Sequence, residues 1–90
     1  MNGENIDLLL VEDNPQEAEI VRLYLAKRYS HSYSVRHVRS IGGALTDLAG
    51  ERRSDIILLD LHLPDTQGLE GYRLVSAAAP GVPVIILTNC

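Results

Sequence analysis

Phe and Trp are absent from these 90 residues, and four tyrosines are the only aromatic side chains. A core must therefore be assembled from Leu, Ile, Val and Ala, and aromatic platforms that stack single-stranded nucleic acid are disfavoured. Cysteine occurs once, at Cys90. That excludes an intrachain disulfide and a cysteine-based zinc site, fits a reducing compartment, and leaves open the cross-linking of two chains. Positive charge is thin: eight Lys and Arg stand against twelve Asp and Glu for a net charge of −4, and the basic residues are scattered. A direct nucleic-acid contact is not expected of such a segment. The opening MNGENID lacks the basic and apolar regions of a secretory signal, and no apolar run approaches the ~18 residues of a membrane span. The expectation is a cytoplasmic protein without membrane contact.

What is present is ordinary globular composition, 46% hydrophobic and 22% charged. The chain is too short for a multidomain enzyme, since compact domains cluster at ~100–150 residues. Ile6 to Val11 (IDLLLV) is a short apolar run ending in the acidic pair Glu12-Asp13, which reads as a strand buried on both faces of a parallel sheet. Asn14-Pro15 supplies a cap and a first-turn proline for a helix to about Tyr29. Its Ala18, Val21 and Leu25, with Ile20, Leu23 and Tyr24 beside them, suggest a wide stripe that covers a sheet. Tyr33 to Val38 (YSVRHV) partly alternates, as an edge strand does. Ser40 can cap a second helix carrying Ile41, Ala44, Leu45 and Leu48 and stopping at Gly50. Asp55 to Asp60 (DIILLD) repeats the apolar run closed by a carboxylate. A third helix spans about Leu69 to Ala79, and VPVIILT supplies a fourth strand ending at Thr88.

This βαβαβαβ order implies an α/β fold with a doubly wound parallel sheet, right-handed crossovers placing the helices alternately on its faces. Ligands of such sheets bind at the carboxyl ends of the strands. Three strands end there in polar groups: Glu12-Asp13, Asp60 and Thr88. Any one of these, alone, reads as a turn former or cap. Converging, three carboxylates repel one another, and one is held protonated unless a cation neutralises them. Few hard oxygens with room for water suit Mg²⁺ better than zinc or calcium.

On LLLVEDNP, DIILLDLHLPDTQGLEGYRLV and VPVIILT the chain resembles the receiver domains of bacterial two-component response regulators, over nearly its whole length. The resemblance implies a flavodoxin-like sheet in the order 2-1-3-4-5. It implies that Asp60 accepts a phosphoryl group from a histidine kinase or phosphotransfer protein of a phosphorelay. It further implies that Asp13, Asp60 and the backbone carbonyl of His62 ligate Mg²⁺, that Glu12 assists through water, and that Thr88 hydrogen-bonds the attached phosphate. The protein is then a signalling domain that catalyses its own modification, with no separate enzyme activity. The rings of His62, His31 and His37 are expected at the surface and Tyr72 in the core, while Pro64 and Gly68 shape the loop after Asp60.

The family pattern continues with a helix, a lysine-bearing strand and a last helix. Lys27, in the first helix, is the only lysine here, and Asn89 stands where the family commonly has Ala, Gly or Ser. Residues 1–90 therefore read as a partial receiver domain lacking its last α-β-α elements, not competent to switch alone. The alternative is a non-phosphorylated interaction or assembly fragment. A third class, an aspartyl-nucleophile phosphohydrolase, needs a second acid that Asp60-Leu61-His62 lacks. The output domain or target is not legible. The uncharged run up to Thr88, left as a sheet edge, is expected to pair chains into a homo-oligomer, with the Cys90 residues close together.

Overall fold

A computed structural model describes residues 5–28 and 32–87. The elements follow as β1 (Ile6–Val11), α1 (Pro15–Arg28), β2 (Tyr33–Val38), α2 (Ile41–Leu48), β3 (Ile56–Asp60), α3 (Glu70–Ala78) and β4 (Val84–Leu87). The described strands form one sheet in the order β2-β1-β3-β4, and every pairing is parallel. Tyr29, Thr88 and Cys90 lie outside the described residues.

The starts of the helices follow from local chemistry. Asn14 Oδ1 accepts the N–H groups of Gln16 at 2.8 Å and Glu17 at 3.2 Å, and Pro15 takes the first helical position, where no N–H is needed. Ser40 Oγ accepts the Gly43 N–H at 2.9 Å. α3 begins at Glu70, one residue later than expected, with Leu69 as its N-cap and no side-chain cap bond.

The two faces are filled unequally. Leu9, Val11, Ile57 and Leu59 point to the face covered by α2 and α3, where Ile41, Ala44, Leu63, Val75 and Ala79 complete the core. Leu8, Leu10 and Leu58 point to the other face, which α1 covers with Ala18, Val21 and Leu25. A groove of about 430 Å³ runs along that face past Leu25, Tyr33, Leu58 and Ile85.

Three expectations need correction. The helices do not alternate between faces. A right-handed crossover puts its helix on the face set by its direction of travel; β1 to β2 steps one way, and both later crossovers step the other way, so α2 and α3 share a face. The stripe on α1 is also narrower than expected. At 100° per residue, Ile20 and Lys27 lie about 180–200° from Ala18, so Ile20 and Tyr24 form a second apolar strip that faces outward, 64% and 55% exposed. Finally, Tyr72 is exposed. The buried line is Gly71 and Val75 on α3, continued by Ala79 at its C-cap, and Tyr72 stands one step outside it.

Candidate functional site

Register brings the acids together. Val11 of β1 stands opposite Leu59 of β3, so the next residues, Glu12 just past β1 and Asp60 at the end of β3, stand side by side, and Asp13 opens the connection to α1. One carboxylate oxygen from each of the three lies within 4.8 Å of the others. Glu12 and Asp60 are 4% and 5% exposed, and Asp13 is half-buried.

Crowding and burial show in the chemistry of Glu12. Burial pushes its carboxyl up to about 7. The Asn14 N–H, 3.2 Å from Oε2, pulls it down; the hydrogen bond to Asp60, its charge, and the charge of Glu17 push it up again. A raised carboxyl on Glu12 is how a buried, crowded cluster avoids carrying every charge at once. Among the described residues no cationic side chain pairs with any of the three. Arg39 donates instead to the Asp13 carbonyl oxygen, at 3.3 Å from Nε and 3.1 Å from Nη2.

Backbone contacts hold the acids in place. The Glu12 N–H donates to the Val38 carbonyl at 3.0 Å, and His37 donates from Nε2 to the Glu12 carbonyl at 2.7 Å. The His62 N–H donates to Asp60 Oδ1 at 3.0 Å, which fixes the plane of that carboxylate. Two bonds farther along the same loop tie Asp65 to α2: Oδ1 accepts the Ile41 N–H at 3.1 Å and Oδ2 the Gly42 N–H at 3.0 Å. Those N–H groups, Gly42 first and Ile41 second, hold the Asp65 carboxyl below the usual carboxylate range.

The structure thus gathers Glu12, Asp13 and Asp60. His62 meets them through its backbone, and its side chain is exposed. Thr88 and His31 lie outside the described residues. His37 is corrected from a surface residue to a half-buried one, because its ring closes over the Glu12 carbonyl. Sequence reasoning missed the parts played by His37, Arg39 and Asp65. Alternation along β2 puts His37 and Arg39 on one side of the strand, a usable signal. Asp65 gives none, since its partners lie 24 and 23 residues earlier.

Residues 8–90 match the response regulator receiver domain family. The chain belongs to that family. This receiver domain is 32% identical over 89 residues to the probable transcriptional regulatory protein TcrX of Mycobacterium tuberculosis, covering 97% of the chain and 36% of the relative. It is 32% identical to the cell cycle transcriptional regulator CtrA of Caulobacter vibrioides, covering 91% and 34%. The chain therefore spans about a third of the length of these curated relatives. Among solved structures, the MaeR response regulator bound to beryllium trifluoride superposes with a TM-score of 0.79 at 29% identity, over 94% of this chain and 68% of that one. The receiver domain of a signal transduction histidine kinase from Syntrophus aciditrophicus gives 0.75 at 31%, over 93% and 62%. The flavodoxin-like receiver fold is shared with both. Among the described residues, no helix is long and apolar enough to cross a membrane.

Proposed function

We propose that this domain is the phosphoacceptor module of a two-component response regulator and that Asp60 is the residue modified. The observation that carries the reading is a buried carboxylate, oriented by a backbone N–H, inside a three-acid cluster with no paired cation among the described residues. A carboxylate oxygen of Asp60 attacks the phosphorus of a phosphohistidine on a histidine kinase or phosphotransfer protein. The new P–O bond forms as the P–N bond breaks, and the electron pair leaves with the imidazole, which takes a proton from water. With a small acyl phosphate as donor, the leaving group is the donor's carboxylate and no proton moves.

The donor set fits Mg²⁺, since crowded hard oxygens and the raised Glu12 are what a site short of positive charge displays. Asp13, Asp60 and the His62 carbonyl would hold the ion directly and Glu12 through water. When bound, the ion offsets charge on the carboxylates and the phosphoryl oxygens. Thr88 is assigned the hydrogen bond to the attached phosphate. The domain acts on itself in the cytoplasm, and its output, of the transcriptional class of its relatives or another, is assigned outside residues 1–90.

The test uses the full-length protein, a small acyl phosphate and Mg²⁺, with borohydride trapping and mass spectrometry. Label on Asp60 is expected. Label on another residue, or undiminished label in Asp60→Ala, overturns the assignment. Beryllium trifluoride, held by MaeR, offers a second probe that needs no transfer step. A polypeptide of only these 90 residues is expected to label poorly and not to switch, because the lysine-bearing strand of the family pattern is not among them. In that polypeptide β4 is the edge of the described sheet and Ile85 is exposed, so pairing through β4 is proposed. Light scattering of the 90-residue chain and its Ile85→Lys variant checks this; a monomer at every concentration rejects it.

A further inference from the structure

The loop from Leu61 to Leu69 is fastened at three places. At its start the His62 N–H reaches Asp60 Oδ1. Midway, Asp65 takes the N–H groups of Ile41 and Gly42. Just past its end, in α3, Gly71 packs so closely that an added Cβ would stand 3.0 Å from Ile41 Cδ1 and 3.1 Å from Thr66 Oγ1. Leu63 also anchors the loop in the core, so the bonds of Asp65 refine the placement of the loop rather than create it.

Nor does α2 depend on Asp65 for its start. Ser40 caps it locally through Gly43, and the Ala44 N–H already bonds the Ser40 carbonyl at 3.0 Å. The Asp65 side chain is exposed and fills no part of the core. What the two bonds add is a fixed relation between α2 and the short stretch carrying His62, which in turn orients Asp60.

We propose that Asp65 is a positioning residue for the phosphoacceptor: by bonding two N–H groups of α2 it fixes the loop whose His62 N–H orients the Asp60 carboxylate. The inference rests on the phosphoacceptor reading above. Orientation of a nucleophile is worth large rate factors, and small displacements forfeit them.

The experiment compares the full-length protein with its Asp65→Ala, Asp65→Asn and Ser40→Ala variants. It measures phosphorylation by a small acyl phosphate over a range of donor concentrations at saturating Mg²⁺, and hydrogen exchange at the His62 amide. Asp65→Ala is expected to lower the maximal rate about 10-fold while leaving the donor concentration for half-maximal rate nearly unchanged, and to speed exchange at His62. Asp65→Asn keeps one acceptor oxygen and should recover most of the rate. Ser40→Ala loses an α2 cap without freeing the loop, so both readouts should stay near those of the parent. Unchanged rate and exchange in Asp65→Ala overturn the proposal, as does an equal loss in Ser40→Ala, which would mark a general effect of α2. If Asp65→Ala does not fold, Asp65→Leu, similar in shape but without an acceptor, takes its place, an unchanged rate and His62 exchange again overturning the proposal. Absence of label from Asp60 in the parent overturns the phosphoacceptor reading and this proposal with it; label on Asp60 with equal rates in Asp65→Ala overturns this proposal alone.

Discussion

The two ends of the sheet handle acidic residues in opposite ways. Where the strands begin, carboxylates are matched with arginines: Asp47 on α2 binds Arg36 at 2.8 Å, Arg36 also reaches Ser54 Oγ at 2.7 Å, and Asp7 meets Arg52 at 3.3 Å. Asp55 accepts the Asp7 N–H at 2.8 Å, joining the starts of β1 and β3. Where the same strands end, Glu12, Asp13 and Asp60 face one another, and the neighbouring Arg39 is spent on a backbone carbonyl. Arg36 holds the Asp47 carboxyl below its usual range, whereas burial holds Glu12 above it. Acids that build the fold come with partners. Acids left crowded keep unmet demand for positive charge, which is what a functional site for a cation and a phosphoryl group requires.

Four measurements sharpen or break that contrast. The largest effect is expected at Asp60, where Asp60→Ala should abolish phosphorylation of the full-length protein and Asp13→Ala should weaken Mg²⁺ binding, both read by titration and mass spectrometry. If neither changes, the crowded end is merely another structural edge.

Next is the pH dependence of stability without divalent ions. The folded value for Glu12, about 7, lies above its usual 4.5, so the folded protein holds the proton more tightly. Its contribution is complete below pH 4.5 and is lost as pH rises through about 7, a change of about 3 kcal/mol at most. Urea titrations should show this decline, Glu12→Gln should remove it, and Mg²⁺ should flatten it.

At the opposite end the sign reverses. The depressed Asp47 contributes stability above its usual 3.8 that is lost as pH falls through its lower folded value. Arg36→Ala should remove this acid sensitivity and cost about 2 kcal/mol, because it leaves a partly buried carboxylate and the Ser54 hydroxyl short of a partner. The smallest effect is expected for Arg52→Ala, about 0.5 kcal/mol or less by urea titration, since Arg52 is more than half exposed and exposed pairs are screened. A larger loss there would show that the surface pair fixes the sheet end.

The sequence by itself determined the order of elements, the buried character of β1 and β3, the edge position of β2 and the acids that end the strands. Those features live in runs of five or six residues, in local caps such as Asn14 and Ser40, and in the rule that ligands collect at strand ends. Tertiary structure alone decided which face each helix covers, because that depends on the direction of each crossover. It decided that Ile20 and Tyr24 face outward and that Tyr72 is exposed, since an apolar residue on a helix is buried only if its angle meets a neighbour. It also decided the supports of the site. His37 and Arg39 reach the backbone of Glu12 and Asp13 only because β2 lies beside β1, and Asp65 finds α2 only after the chain has folded back over 23 and 24 residues. A hydrogen bond needs its partners within about 3 Å, and across such separations only the packed fold brings them there.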